Sequence, residues 1–399
     1  MYLKNQMPAH HTPLDPRDAE TLSVKGAADV TRVLALRDNN AATPLHALPG
    51  LAAELGLGAL HVKDEGYRLG LGSFKALGGA YALMRLVQEA ASEQLGRDVA
   101  VDELMSQEVR AVAAGLTFAC ATDGNHGRSV AQGAQLIGAN AVIFVHAGVS
   151  DARVDAIASF GARMIRVDGN YDDSVAEASR VAEQEGWTVL SDMSWSGYER
   201  IPALVMQGYS AIVQEALDQL DAPPTHVFLQ AGVGGFAAAI AGHMAVVLGE
   251  VRPHVTVVDP QRAACLFESA KAGRAIKVEE GEATVMAMLE CYEPSLVAFR
   301  VLERVADGFM TVDEEDAIGV MKRLADPVAS DPPVVSGESG GAGLAGLIAM
   351  LRQPDLAETI DLGPSARVLV INTEGATDPE LYEQLVGRSP QGVLRGAIA

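Results

Sequence analysis

Short runs in which every residue is apolar, such as Val227 Phe228 Leu229 and Val368 Leu369 Val370 Ile371, alternate along this chain with longer, alanine-rich stretches of helical pattern. A strand whose successive side chains all avoid water must be covered on both faces, which happens when helices pack on each side of a parallel sheet. The expected strands are Leu60 to Lys63, Phe118 to Ala121, Val142 to Val145, Met164 to Val167, Thr188 to Leu190, Val227 to Gln230, Val255 to Val258 and Val368 to Ile371. The chain therefore reads as α/β, with mostly parallel, twisted sheets flanked by helices. Ahead of them, Pro8, Pro13 and Pro16 among polar residues predict an extended arm, followed by a helix through Ala27 to Arg37.

Bulk properties narrow the function. A length of 399 residues suits two domains. With 30 basic against 52 acidic residues, the net charge of -22 repels nucleic-acid phosphates and anionic membrane surfaces, so neither is an expected partner. Apolar stretches such as Ala237 to Leu248 are too short to span a bilayer, and no apolar signal core opens the chain, so a cytoplasmic location is expected. Cys120, Cys265 and Cys291 match neither a disulfide framework nor a metal-ligand spacing. Three reduced thiols are expected, with a Cys265–Cys291 bond as the alternative.

Ligands of parallel sheets sit at the carboxyl ends of the strands, and three motifs fall there. Gly232 Val233 Gly234 Gly235 Phe236 joins a buried strand to a helix, which suits it to cup a phosphate with backbone N–H groups and the helix dipole. A dinucleotide site competes, because Asp259 ends the next strand where a ribose-binding acid would stand. Thr122 Asp123 Gly124 Asn125 His126 Gly127 follows a second strand, and by itself is an ordinary capped Asp-Gly turn. Asn372 Thr373 Glu374 Gly375 follows the last strand, where a period of two turns Glu374 away from the face that Thr373 presents.

Three further segments carry candidate chemistry. Gly72 Ser73 Phe74 Lys75 places a lysine at a helix start, where the dipole and partial burial are expected to lower its pKa and favour bonding to an aldehyde. An isolated lysine there is otherwise a surface residue. Asp192 in Ser191 Asp192 Met193 Ser194 Trp195 reads alone as a helix cap, and Ser336 to Ala342 as a flexible start to a helix over Gly343 to Leu351.

In this order and spacing the motifs resemble the fold-type II pyridoxal-phosphate enzymes, the family of threonine and serine dehydratases, cysteine synthase and the tryptophan synthase β chain. The resemblance runs from about Thr43 to Gly375. It implies pyridoxal 5'-phosphate as cofactor and Lys75 as the residue bonded to it. It also implies that Gly232, Val233, Gly234, Gly235 and Phe236 hold the phosphate, that Asn125 meets the cofactor's 3-oxygen, and that Thr373 meets the ring nitrogen. Thr122, Asp123, Gly124, Asn125 and His126 would bind the carboxylate end of a small amino-acid substrate. A homodimer is implied, with a small domain over 85–198 inserted into a large one made of 1–84 and 199–399.

One departure sharpens the resemblance. Dehydratases commonly carry Ser or Ala where this chain has Asp123, and a carboxylate beside a substrate carboxylate calls for a substrate that also brings positive charge. Asp192 is a second acid that dehydratases lack. The motifs around Lys75, Asp123, Asp192 and Thr373 taken together resemble the branch of the family that eliminates ammonia from 2,3-diaminopropionate, and that resemblance implies action on either hand, giving pyruvate. In that case Lys75, Asp123 and Asp192 are catalytic; threonine or serine dehydration is the alternative.

Overall fold

The computed structural model describes residues 1–122 and 124–396; Asp123 and residues 397–399 lie outside the described residues. The described strands are β1 (Tyr2–Lys4), β2 (Leu45–Ala47), β3 (Ala59–Asp64), β4 (Thr117–Ala121), β5 (Asn140–His146), β6 (Arg163–Val167), β7 (Thr188–Val189), β8 (His226–Gln230), β9 (His254–Pro260), β10 (Gly308–Val312) and β11 (Arg367–Asn372). They form a seven-stranded sheet in the order β1-β10-β9-β8-β11-β3-β2 and a four-stranded sheet in the order β6-β5-β4-β7. All pairings are parallel except those of the two edge strands, β1 with β10 and β2 with β3. Every side chain of β8 is buried, as its unbroken apolar run predicts. No described helix is long and apolar enough to cross a membrane.

Three strands exceed the sequence expectation. β1 and β2 have three residues each, too few to show a period. β10 is an apolar run buried at all five positions, so its signal was present. The N-terminal arm is also more structured than expected. β1 completes the sheet edge, and Asn5 Nδ2 donates to the Ala306 carbonyl at 2.7 Å. The helix predicted over Ala27 to Arg37 instead spans Val24–Leu34, because the Ser23 hydroxyl caps it through the Gly26 N–H, and a separate helix covers Pro16–Thr21.

One helix joins the two halves. Lys75–Leu95 packs against Asn125–Ile137, which belongs with the small sheet, and against Arg200–Gln219, which belongs with the large one. Glycines permit both approaches. A Cβ on Gly78 would lie 2.6 Å from the Tyr209 ring, and one on Gly133 would lie 2.8 Å from Ala80 Cα. The segment leading into this helix is anchored by charge: fully buried Arg68 donates to Glu65 at 2.7 Å and to Glu215 at 2.7 Å. Lys63, also fully buried, reaches Glu215 at 2.8 Å and the Thr43 carbonyl at 2.7 Å. Such a cluster tolerates burial because each charge is paired, and removing one partner leaves another stranded.

Asp259 does not serve a ribose. Its carboxylate is buried and Oδ2 accepts the N–H groups of Leu266 and Phe267, each at 2.9 Å, starting the helix Cys265–Ala272. Burial pushes its pKa from 3.8 up to about 8, against the pull of those two N–H bonds. A raised carboxyl pKa means that the folded chain holds a proton that the unfolded chain has lost, so this group's contribution falls as pH rises. Relative to Asp259→Asn, wild type should lose stability between pH 3.8 and about 8, as measured by denaturant unfolding across that window.

Candidate active site

The two sheets meet at a cavity of about 550 Å³, a size typical of small-molecule sites. Lys75 projects into it from the first residue of the joining helix. Its approach is fixed by the end of β11: the Phe74 N–H donates to the Thr373 carbonyl at 2.9 Å and the Gly375 N–H to the Gly72 carbonyl at 2.9 Å. Gly72 has φ +78, a left-handed value that a side chain would strain. The Phe74 ring packs against Phe236 at 4.7 Å and Tyr209 at 4.8 Å between centroids, tying the lysine turn to the glycine loop.

Asp192 comes from the other sheet, just past β7, and its carboxylate pairs directly with Lys75 Nζ. It is not a helix cap. The two side chains are 23% and 16% exposed, so water screens the pair only in part. Burial lowers the lysine pKa, as expected from the sequence, but the Asp192 charge outweighs burial and holds Nζ as an ammonium above the usual lysine value. The expectation of a lowered pKa is therefore corrected, because a carboxylate in contact exceeds the effects of burial and dipole combined. Burial favours the neutral acid at Asp192 too, yet the Lys75 charge keeps it well below the usual carboxylate range.

Thr122, Gly124, Asn125 and His126 all line the cavity. Thr122 Oγ1 accepts the N–H groups of Gly124 and Gly127, each at 3.1 Å, so those two donors are spent inside the loop. The backbone N–H groups of Asn125 and His126 have no acceptor among the described residues and start the helix Asn125–Ile137. His126 Nε2 donates to the Leu190 carbonyl at 3.1 Å, which leaves Nδ1 as a bare lone pair in a buried ring. Asp123, the acid that sets this chain apart from the dehydratases, lies outside the described residues.

Glu374 requires a second correction. Period-two alternation ends with β11 at Asn372, and Glu374 turns into the cavity wall, where Oε2 accepts from Asn125 Nδ2 at 2.9 Å. Two residues of the site were missed in the sequence. Gln230 is the polar residue that ends the apolar run Val227 Phe228 Leu229 in β8, a signal that was available, and the two hydrogens of its Nε2 are shared among Gly340 O at 2.6 Å, Ile371 O at 2.9 Å and Thr373 Oγ1 at 3.0 Å. Tyr209 carries a buried hydroxyl with no hydrogen-bond partner among the described residues and had no sequence signal.

These groups fit pyridoxal phosphate. The N–H groups of Gly232, Val233, Gly234 and Gly235 meet no acceptor among the described residues and stand at the start of the helix Gly235–Leu248. A Cβ on Gly232 would lie 2.9 Å from Cys291 Sγ, and Gly234 has φ +96, so the loop needs both glycines. The Thr373 hydroxyl accepts from Gln230, which leaves its own hydrogen to donate into the cavity. Cys120, Cys265 and Cys291 form no disulfide among the described residues.

Comparison with known proteins agrees. Residues 36–374 match the model of the pyridoxal-phosphate dependent enzymes, and this chain belongs to that family. It is 40% identical over 358 residues to diaminopropionate ammonia-lyase of Escherichia coli K12, with 88% of each chain covered. It is 40% identical over 363 residues to the same enzyme of Salmonella typhimurium, with 88% of this chain and 90% of that one covered. The solved Escherichia coli structure with an aminoacrylate–pyridoxal-phosphate azomethine superposes with a TM-score of 0.86, at 36% identity and 98% coverage of both chains. A tomato threonine deaminase, at 19% identity and a TM-score of 0.72, shares the fold.

A hydroxyl placed as Thr373's is predicts that Thr373→Val weakens pyridoxal phosphate binding about tenfold, the loss of roughly one hydrogen bond, while Thr373→Ser retains it. Titration of the cofactor-free variants checks this, and equal affinity for Thr373→Val would contradict it.

Proposed function

We propose that this chain is a diaminopropionate ammonia-lyase, converting 2,3-diaminopropionate and water to pyruvate and two ammonia molecules. The observation that carries the reading is Asp192, a largely buried carboxylate facing Lys75 inside the cavity. A dehydratase expelling hydroxide gives such a charge nothing to pair with, whereas a β-ammonium matches it. The names of the relatives that are 40% identical support the same substrate.

In this reading, the N–H groups of Gly232 to Gly235, with Val233 and Phe236 in the same loop, hold the cofactor's phosphate. Asn125 would meet its 3-oxygen and Thr373 its ring nitrogen. Bound there, pyridoxal phosphate supplies an electron sink that makes the substrate's α-proton acidic. Lys75 can take that proton from the L-substrate once the β-ammonium has replaced it against Asp192 and left Nζ a neutral amine, while Thr122, Gly124, Asn125 and His126 hold the carboxylate. Asp192 holds the β-ammonium, so nitrogen leaves as neutral ammonia. The released aminoacrylate then exchanges its remaining nitrogen for water. For the D-substrate, whose α-proton is on the opposite face, Asp123 is the second base.

The same reading includes a homodimer, a cytoplasmic location, and a small domain of 85–198 inserted between 1–84 and 199–399. The division is supported by the four-stranded sheet, whose strands all fall between 117 and 189 while every strand of the larger sheet lies outside that span.

Purified protein with pyridoxal phosphate should release pyruvate from both D- and L-diaminopropionate. It should yield little 2-oxobutyrate from threonine and little pyruvate from serine; efficient turnover of either would favour a dehydratase instead. Asp192→Asn should lower kcat on both enantiomers by about 100-fold or more, the scale of a lost proton-handling group. Asp123→Asn should abolish turnover of the D-substrate while sparing much of the L-activity. Equal loss on both enantiomers would contradict the two-base assignment.

A further inference from the structure

Glu374 and Glu338 are 3% and 1% exposed, and neither has an ion-pair partner among the described residues. Each keeps one oxygen, Oε1, without any hydrogen-bond partner. Two buried carboxyls left like this cost more than a core would bear if both were charged. Their backbones are clasped together. The Gly337 N–H donates to the Glu374 carbonyl at 3.0 Å, and a Cβ on Gly337 would lie 3.2 Å from Glu374 Cγ. Among the described residues, the side chain that bonds Glu374 is Asn125, whose Nδ2 donates to Oε2 at 2.9 Å.

An asparagine amide has two N–H donors and one carbonyl acceptor. With one N–H given to Glu374, the amide of Asn125 can no longer flip, and its second N–H and its Oδ1 are presented to the cavity. We propose that Glu374 is a positioning residue that acts through Asn125, fixing which edge of that amide meets the cofactor's 3-oxygen. The inference rests on the contact between Asn125 and the cofactor proposed above, and not on the identity of the substrate.

Its protonation state matters. Burial, and then repulsion from Glu338, push the Glu374 pKa up to about 8, opposed by the Asn125 bond and by Arg153. Glu338 is itself raised by burial and by Asp378, with Arg153 again opposing. The raised pKa favours the neutral acid, which accepts from Asn125 without bringing charge against an electron-rich cofactor oxygen, and the carboxylate forms in that wall only as pH rises.

The test uses cofactor affinity and the visible spectrum of the bound cofactor, with no substrate present. Glu374→Ala should weaken pyridoxal phosphate binding about tenfold, since it leaves a buried amide N–H unpaired. Glu374→Gln, a neutral acceptor of the same shape, should bind within about threefold of wild type. Wild type should show a spectral step at a pH above the usual carboxyl range that Glu374→Gln lacks. In an Asn125→Ala background, Glu374→Ala should cost nothing further. The inference is overturned if Glu374→Ala binds as tightly as wild type, if it costs the same with Asn125 removed, or if Gln is as damaging as Ala. Should Glu374→Ala fail to fold, persistence of the alkaline step in Glu374→Gln overturns it and its disappearance supports it. An Asn125→Ala variant that binds the cofactor normally would instead overturn the underlying site assignment.

Discussion

The contact between Lys75 and Asp192 is where the two halves of the molecule meet electrostatically. One charge stands at the start of the helix that joins the sheets, the other just beyond β7 of the smaller sheet. Each is unfavourable there alone: the lysine faces burial and a helix dipole, the aspartate faces burial. Together they are stable, so the site is held ready by an opposition that neither sheet supplies by itself. Removing one partner of so enclosed a pair costs about 3–5 kcal/mol, because the other charge is stranded. The same opposition explains how the cavity can serve a cationic substrate. When Lys75 is engaged elsewhere, Asp192 is left as a carboxylate in want of a positive partner, and in the proposed reading an ammonium on the substrate's β-carbon is that partner.

The rest of the scaffold sets this contact in position. Arg68, Glu65, Lys63 and Glu215 form a buried charge cluster that anchors the turn before Lys75 to the helix Arg200–Gln219. Gly78 and Gly133 let the joining helix lie close to its neighbours on both sides. Phe74, wedged between Tyr209 and Phe236, carries the register of the lysine turn to the glycine loop. Precision in the site thus comes from helix packing and buried ion pairs, and the loops that bear the chemistry are short and braced.

Much of this was legible in the residues. Unbroken apolar runs revealed the parallel strands, and the glycine loop stood out by its place after β8. Lys75 could be picked out only because three other motifs accompanied it. What the sequence hid was long-range. The pairing of Lys75 with Asp192 spans 117 positions, and that of Asn125 with Glu374 spans 249. No local pattern encodes such contacts. The inversion of the Lys75 pKa follows from the first, since a helix start is visible in sequence and a facing carboxylate is not. Glu374 was misplaced for a different reason. Strand alternation was extended two residues beyond Asn372, where β11 has already ended and side-chain direction follows the turn.

The central claim is that Asp192 governs the ionisation of Lys75, and it can be measured on the cofactor-free protein. Reductive methylation of Lys75, quantified by mass spectrometry as a function of pH, reports the fraction of neutral amine. In wild type the midpoint should lie above the usual lysine value of 10.5, and in Asp192→Asn it should fall below that value, because burial then acts unopposed. A wild-type midpoint at or below 10.5, or one unmoved by Asp192→Asn, would contradict the account.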